Sequence, residues 1–124
     1  MSLDWRSYCR GGEFSIEGNV IEVALADARR HKIKVREDEA CFHLHAIVAK
    51  PRVIASLTDL KLTLWMRNRS LSLIGFRVDP KGRLVGEAWV PKDGLSRKEF
   101  CFYLHTLAAE SDRLEQQLSG ADFE

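Results

Sequence analysis

The chain has 124 residues and a mass of 14.2 kDa, the size of one ordinary domain and enough to bury one core. Hydrophobic residues make up 45% and charged residues 30%, which excludes wholesale disorder. Nineteen basic and eighteen acidic residues leave a formal charge of +1. That balance argues against a dedicated nucleic-acid protein, which carries an overall basic excess. No apolar run is long enough to span a bilayer, so no membrane partner is expected.

The single domain is expected to begin with a short helix or arm over residues 1–12, ended by Gly11-Gly12. This segment lacks the apolar stretch of a secretory signal. From Phe14 to Ala49 the pattern is strand-like. Val20, Ile21, Val23 and Leu25 lead into a turn at Ala26 to Arg29, and Ile33 and Val35 then alternate with Lys32, Lys34 and Arg36. After a second turn at Glu37-Asp38-Glu39, Phe42, Leu44, Ala46 and Val48 alternate with Cys41, His43, His45 and Ile47. Short connections make this an antiparallel meander.

Pro51 suits the first turn of a helix. Val53, Leu57, Leu60, Leu64 and Asn68 follow one helical face, with Ile54 and Trp65 beside it. A hairpin follows, Leu71 to Val78 and Arg83 to Val90 around Asp79-Pro80-Lys81-Gly82. If Val78 pairs with Arg83, one face holds Leu71, Leu73, Gly75, Leu84, Gly86, Ala88 and Val90. The other holds Ile74, Phe76, Val78, Val85 and Trp89. Gly75 and Gly86 then oppose one another and leave room for a helix to approach. Ser96-Arg97-Lys98-Glu99 is a capping box, with Leu95 and Phe100 at the staple positions. It predicts a helix from Arg97 to about Leu118 with Gly120 as C-cap. The fold class is α+β: an antiparallel sheet of about five strands (meander, helix, hairpin) with two main helices on one face.

Several stretches resemble the YbjN family, whose members share the fold of type III secretion chaperones. They are Leu64-Trp65-Met66-Arg67-Asn68, Ser72 to Asp79, Gly82-Arg83-Leu84-Val85, Val90-Pro91, Gly94-Leu95-Ser96, Ala109 and Asp112-Arg113. Arg29 to Val35 is similar to the family's second strand. The resemblance covers the chain after Gly18 and implies a non-enzymatic homodimer that binds other proteins. The family opens on a longer amphipathic helix than this chain has before Gly11-Gly12.

The apolar set Ile74, Phe76, Val78, Val85 and Trp89 is the expected protein interface, for a second copy and for an unidentified client. Arg29, Arg30, Lys32, Lys34 and Arg36 form the alternative surface, a basic row that could contact phosphates, although nucleic acid is the less favoured partner. His43 and His45 share a strand face with Cys41, but no fourth ligand is signalled for a metal. Cys101 and His105 are an i, i+4 pair that could serve as nucleophile and base, yet Cys101 flanks the core stripe. No phosphate loop, zinc-protease or hydrolase motif occurs. The expected function is therefore a non-enzymatic protein-binding module, chaperone-like or regulatory, with no cofactor and no metal. Cys9, Cys41 and Cys101 are too scattered for a disulfide framework or a zinc site and fit free thiols in a reducing cytoplasm.

Overall fold

The computed structural model describes residues 4–9, 11–55, 60–70 and 73–123. Six strands and three helices follow in the order β1 (Phe14–Glu17), β2 (Val20–Ala24), β3 (Arg30–Glu37), β4 (Cys41–Ala49), α1 (Pro51–Ala55), α2 (Leu60–Ser70), β5 (Gly75–Val78), β6 (Leu84–Pro91) and α3 (Arg97–Phe123). The strands form one antiparallel sheet in the order β1-β2-β3-β4-β6-β5. The expected α+β architecture is therefore present, and the additional strand is β1. It arises from a two-residue connection, Gly18-Asn19, with Gly18 at φ +62°. Tight hairpins require that positive φ at their first central residue.

Alternation places Ile21, Val23, Ile33, Val35, Phe42 and Leu44 on one side of the sheet, all buried. Against them lies the α3 stripe Phe100, Leu104, Leu107, Ala108, Leu114 and Leu118, and the whole forms one continuous core. Phe42 and Phe100 meet edge to face at 5.4 Å. A register shift between Ile47 and Ala49 lets both Val48 and Ala49 turn inward. The amino-terminal segment is a 3₁₀ turn, Trp5–Tyr8, that packs Trp5 into the core. Its Tyr8 carbonyl accepts hydrogen bonds from Arg97 Nε and Cys101 Sγ.

α3 begins where the capping box predicts. The Glu99 amide donates to Ser96 Oγ at 3.1 Å, and the Ser96 amide donates to the Glu99 carboxylate at 3.4 Å. The helix does not stop at Gly120 but runs to Phe123. Ser96→Ala is expected to lower stability by about 1 kcal/mol, read from the denaturant midpoint at unchanged slope. Further along α3, Ser111 is completely buried and its Oγ has no hydrogen-bond partner among the described residues. An unsatisfied hydroxyl in an apolar core costs about 1–3 kcal/mol. Ser111→Ala is therefore expected to stabilise the protein by about 1 kcal/mol, seen as a higher melting temperature.

The helix expected from Pro51 to Arg69 is described as α1 and α2, and residues 56–59, including Leu57, lie outside the described residues. Leu64 is buried against the core, while Leu62, Trp65 and Met66 are exposed. Arg67 ties α2 to α3 by donating to Gln117 and by an ion pair with Glu110 at 3.8 Å. Asn68 does the work of a seventh strand beside β5. Its Nδ2 donates to the Phe76 carbonyl at 3.0 Å and its Oδ1 accepts from the Phe76 amide at 2.9 Å.

The hairpin register differs from the expected one by one residue. Val78 pairs with Leu84, and Phe76 with Gly86. Asp79 and Arg83 close a three-residue loop in which Gly82 sits at φ +80°, the type I turn plus left-handed residue of such hairpins. Because side chains alternate with period two, one residue of slip reverses the whole first strand. Gly75 therefore does not face Gly86. The close approach is made at Gly86 alone, under Phe76, Leu107 and Ser111.

Candidate functional site

α3 covers one side of the sheet, and the opposite side carries no helix among the described residues. The registers assemble that outward side in cross-strand lines. Arg36, His43 and Trp89 form one line; Val20, Lys34, His45, Glu87 and Gly75 form the next; Ile47, Val85 and Arg77 form a third. The β5–β6 turn rises beside them. The result is a groove of about 500 Å³ lined by Lys32, Lys34 and Arg36 on one wall and by Arg77, Lys81 and Arg83 on the other. His43, His45, Ile47 and Val20 also line it, and Asp79 is the one carboxylate in its lining among the described residues.

The charges divide into paired and unpaired sets. Arg77 donates to both Glu87 oxygens, at 2.8 and 3.2 Å. His43 Nε2–H donates to Glu87 at 3.0 Å. These contacts, Arg77 foremost, hold the Glu87 carboxyl below its usual range against the opposing effect of burial. Asp79 accepts from the Lys81 and Arg83 amides and from Arg83 Nε. Burial would raise its pKa, but the Arg83 and Lys81 bonds outweigh it and hold the carboxyl low. Lys32, Lys34, Arg36 and Lys81 have no carboxylate partner among the described residues. His43 and Trp89 stack with centroids 4.0 Å apart and planes 13° from parallel, and Trp89 is 56% exposed.

His45 senses the same field. Burial, then His43 and Arg83, depress its pKa below the ordinary imidazole value. A folded-state pKa below the unfolded one means that protonation favours unfolding. The stability from neutral His45 is complete above the unfolded value of about 6.5 and is lost as pH falls through the lower folded value. Glu87 adds a second loss in the carboxylate range. His45→Gln is expected to flatten the decline of melting temperature on acidification from neutrality while leaving the loss at lower pH. A denaturation series across pH checks this.

The five residues expected to form an apolar interface do not share a face. Ile74 and Phe76 are buried in the core at 7% and 4% exposure, a consequence of the register slip. Val85 points outward but is fully buried, flanked across the sheet by Ile47 and Arg77. Val78 and Trp89 are the exposed members, and only Trp89 lies beside the groove. The basic row is likewise divided. Lys32, Lys34 and Arg36 line the groove, whereas Arg30 pairs with Glu22 at 3.1 Å. Arg29 turns to the other side and binds Asp112 of α3 through Nε and Nη2, at 2.7 and 2.9 Å. The preceding Ala28, at φ +60°, sets that change of direction. Arg77, Lys81 and Arg83 escaped the sequence reading because their place on the groove depends on the hairpin register. Their signal was the pair of arginines bracketing the turn.

Cys41, His43 and His45 do not gather into a ligand cluster. Among the described residues, the group that does is His31, Asp112 and Glu115, whose potential ligand atoms lie within 4.8 Å of one another. The Arg29 guanidinium already occupies this cluster, 2.7 Å from Asp112 and 3.7 Å from Glu115. His31 Nε2–H donates to the Ile47 carbonyl. We read the cluster as a clasp between β3 and α3. Cys101 donates its thiol to the Tyr8 carbonyl, and burial pushes its pKa up. His105 lies 3.5 Å from Glu13 and edge-on to Phe14. The Cys9 thiol is pushed up to about 12, chiefly by burial. Both thiols are thus kept from the reactive thiolate form.

Neither a family model nor a curated protein sequence matches this chain. No helix among the described residues is long and apolar enough to cross a membrane.

Proposed function

We propose that the chain is a non-enzymatic binding module whose recognition surface is the groove on the open sheet face, and that its partner is an anionic macromolecule. One observation carries this reading: Lys32, Lys34, Arg36 and Lys81 converge on one groove without carboxylate partners among the described residues. Like charges held together repel, and a polyanion relieves that repulsion while releasing its own counterions. The test is retention on a polyanionic resin such as heparin. The double reversal Lys32→Glu/Lys34→Glu is compared with Lys61→Glu/Lys98→Glu, which gives the same net charge but lies on the exposed helices. Elution at much lower salt for the first variant alone supports the reading; equal loss in both variants defeats it.

A second reading, protein association, is favoured by a separate observation. Leu62, Trp65 and Met66 stand exposed at i, i+3 and i+4 on α2, with the Arg69 guanidinium over the Trp65 ring at 4.9 Å. Exposed apolar stripes of this kind mark interfaces. The homodimer and protein client implied by the resemblance to YbjN and the secretion chaperones would use this stripe. Light scattering of wild type and Trp65→Glu distinguishes a dimer that the substitution dissociates from a chain that is monomeric throughout. The unpaired cysteines support a reducing, cytoplasmic setting.

A further inference from the structure

We propose that the groove is a seat for single-stranded nucleic acid, with phosphates on Lys32, Lys34 and Arg36 and a base on the open face of the Trp89–His43 stack. The inference rests on the polyanion reading above and names its ligand. The three cations are alternate residues of one strand, so they repeat at about 6.6 Å along a straight line. An extended sugar–phosphate chain presents its charges in such a single-file row. Arg36, His43 and Trp89 share one cross-strand line, so the stacking platform stands level with the Arg36 end of the cationic row, two strands across the sheet.

The platform is held in place. His43 is anchored by Glu87 at 3.0 Å, and Glu87 in turn by Arg77. The indole lies flat on the imidazole at 4.0 Å and remains 56% exposed. Every base has a π face that can continue this stack, whatever its sequence. A carboxylate has none, and this favours nucleic acid over an acidic peptide. Stacking separates single from double strands. The bases of a duplex are already stacked on one another, so a single strand is what offers a free base face to Trp89.

The experiment is fluorescence anisotropy of a labelled oligothymidylate of about twelve nucleotides, titrated with the intact chain between about 50 and 200 mM salt. The same titration is run with a duplex of equal length and with an oligoglutamate peptide of equal charge. Binding is expected to fall with salt at a log–log slope of about −2, from three phosphates at roughly 0.7 each. Lys32→Ala/Lys34→Ala should weaken binding by about tenfold or more and reduce the slope to about −0.7. Trp89→Ala should weaken it about tenfold at unchanged slope. Circular dichroism confirms that each variant is folded, and Lys61→Ala should bind as wild type does. An affinity indifferent to Trp89→Ala, or a duplex bound as tightly as the single strand, overturns the proposal. Tighter binding of oligoglutamate, lost on Lys32→Ala/Lys34→Ala, overturns it while leaving the polyanion reading intact. If none of the three probes binds, both readings fall.

Discussion

Gly86→Ala is expected to destabilise the protein by about 3 kcal/mol, and Gly86→Val to prevent folding. A methyl group at this position would lie 2.8 Å from the Phe76 ring, 2.8 Å from Ser111 Oγ and 3.1 Å from Leu107 Cδ1. Real carbons do not approach so closely, so something must move. Phe76 is 4% exposed, and Leu107 and Ser111 belong to the helix that closes the core. The neighbours yield by lifting α3 from β6, by forcing Phe76 out of its rotamer, or by turning the Ser111 and Leu107 side chains into a packed core. Overpacking of this kind typically costs about 1–3 kcal/mol, and two clashes beside a third tight contact place the cost at the upper end. A fall in melting temperature of roughly 10 °C or more is the measurement. Combining Gly86→Ala with Ser111→Ala should recover part of the loss, because it removes one clash and the unsatisfied hydroxyl together.

Asp112→Ala is expected to cost about 2–3 kcal/mol. Asp112 is nearly buried on α3, where it accepts both Arg29 bonds and a third from Gln116 Nε2 at 3.2 Å. Its carboxylate also lies 3.9 Å from His31 Nδ1. Removing one partner of a buried pair costs about 3–5 kcal/mol. The half-exposed Arg29, screened by solvent, reduces that figure here. The check is a double-mutant cycle with Arg29→Ala, measured by denaturant unfolding. A coupling near zero would show that the pair adds nothing, while a value above about 0.5 kcal/mol confirms the clasp.

Where local chemistry alone dictates structure, the residues were readable in advance. Ser96 and Glu99 announce α3, and the alternation from Lys32 to Arg36 and from Cys41 to Val48 announces β3 and β4. The inward side of β6 was equally legible, since Leu84, Ala88 and Val90 stand on one parity. The strand-like pattern from Phe14 does not by itself place the first hairpin's turn, which Gly18-Asn19 signals. The second was misaligned because Asp79-Pro80-Lys81-Gly82 is compatible with two loop lengths, and one residue decides which side Ile74 and Phe76 face. Half of the candidate site was legible for the same reason. Lys32, Lys34 and Arg36 belong to one strand, and their common face follows from period two. Arg77, Lys81 and Arg83 reach the groove only through pairing across the hairpin, and Arg29 leaves the row through the left-handed Ala28. Neither is encoded in the spacing of the residues themselves.

Asn68 bears on how the molecule avoids self-templating. β5 is the last strand of the sheet, and an outer strand with free amide and carbonyl groups invites a foreign strand to dock. The side-chain amide of Asn68 already holds the Phe76 amide and carbonyl, the pair that an incoming strand would need first. This border of the sheet is thus plugged by a single residue borrowed from a helix. Growth by strand addition, whether into a swapped dimer or a fibre, is directed to the β1 border. Deamidation of Asn68 to aspartate would remove the donor and set a carboxylate against the Phe76 carbonyl, unplugging the β5 border without touching the core.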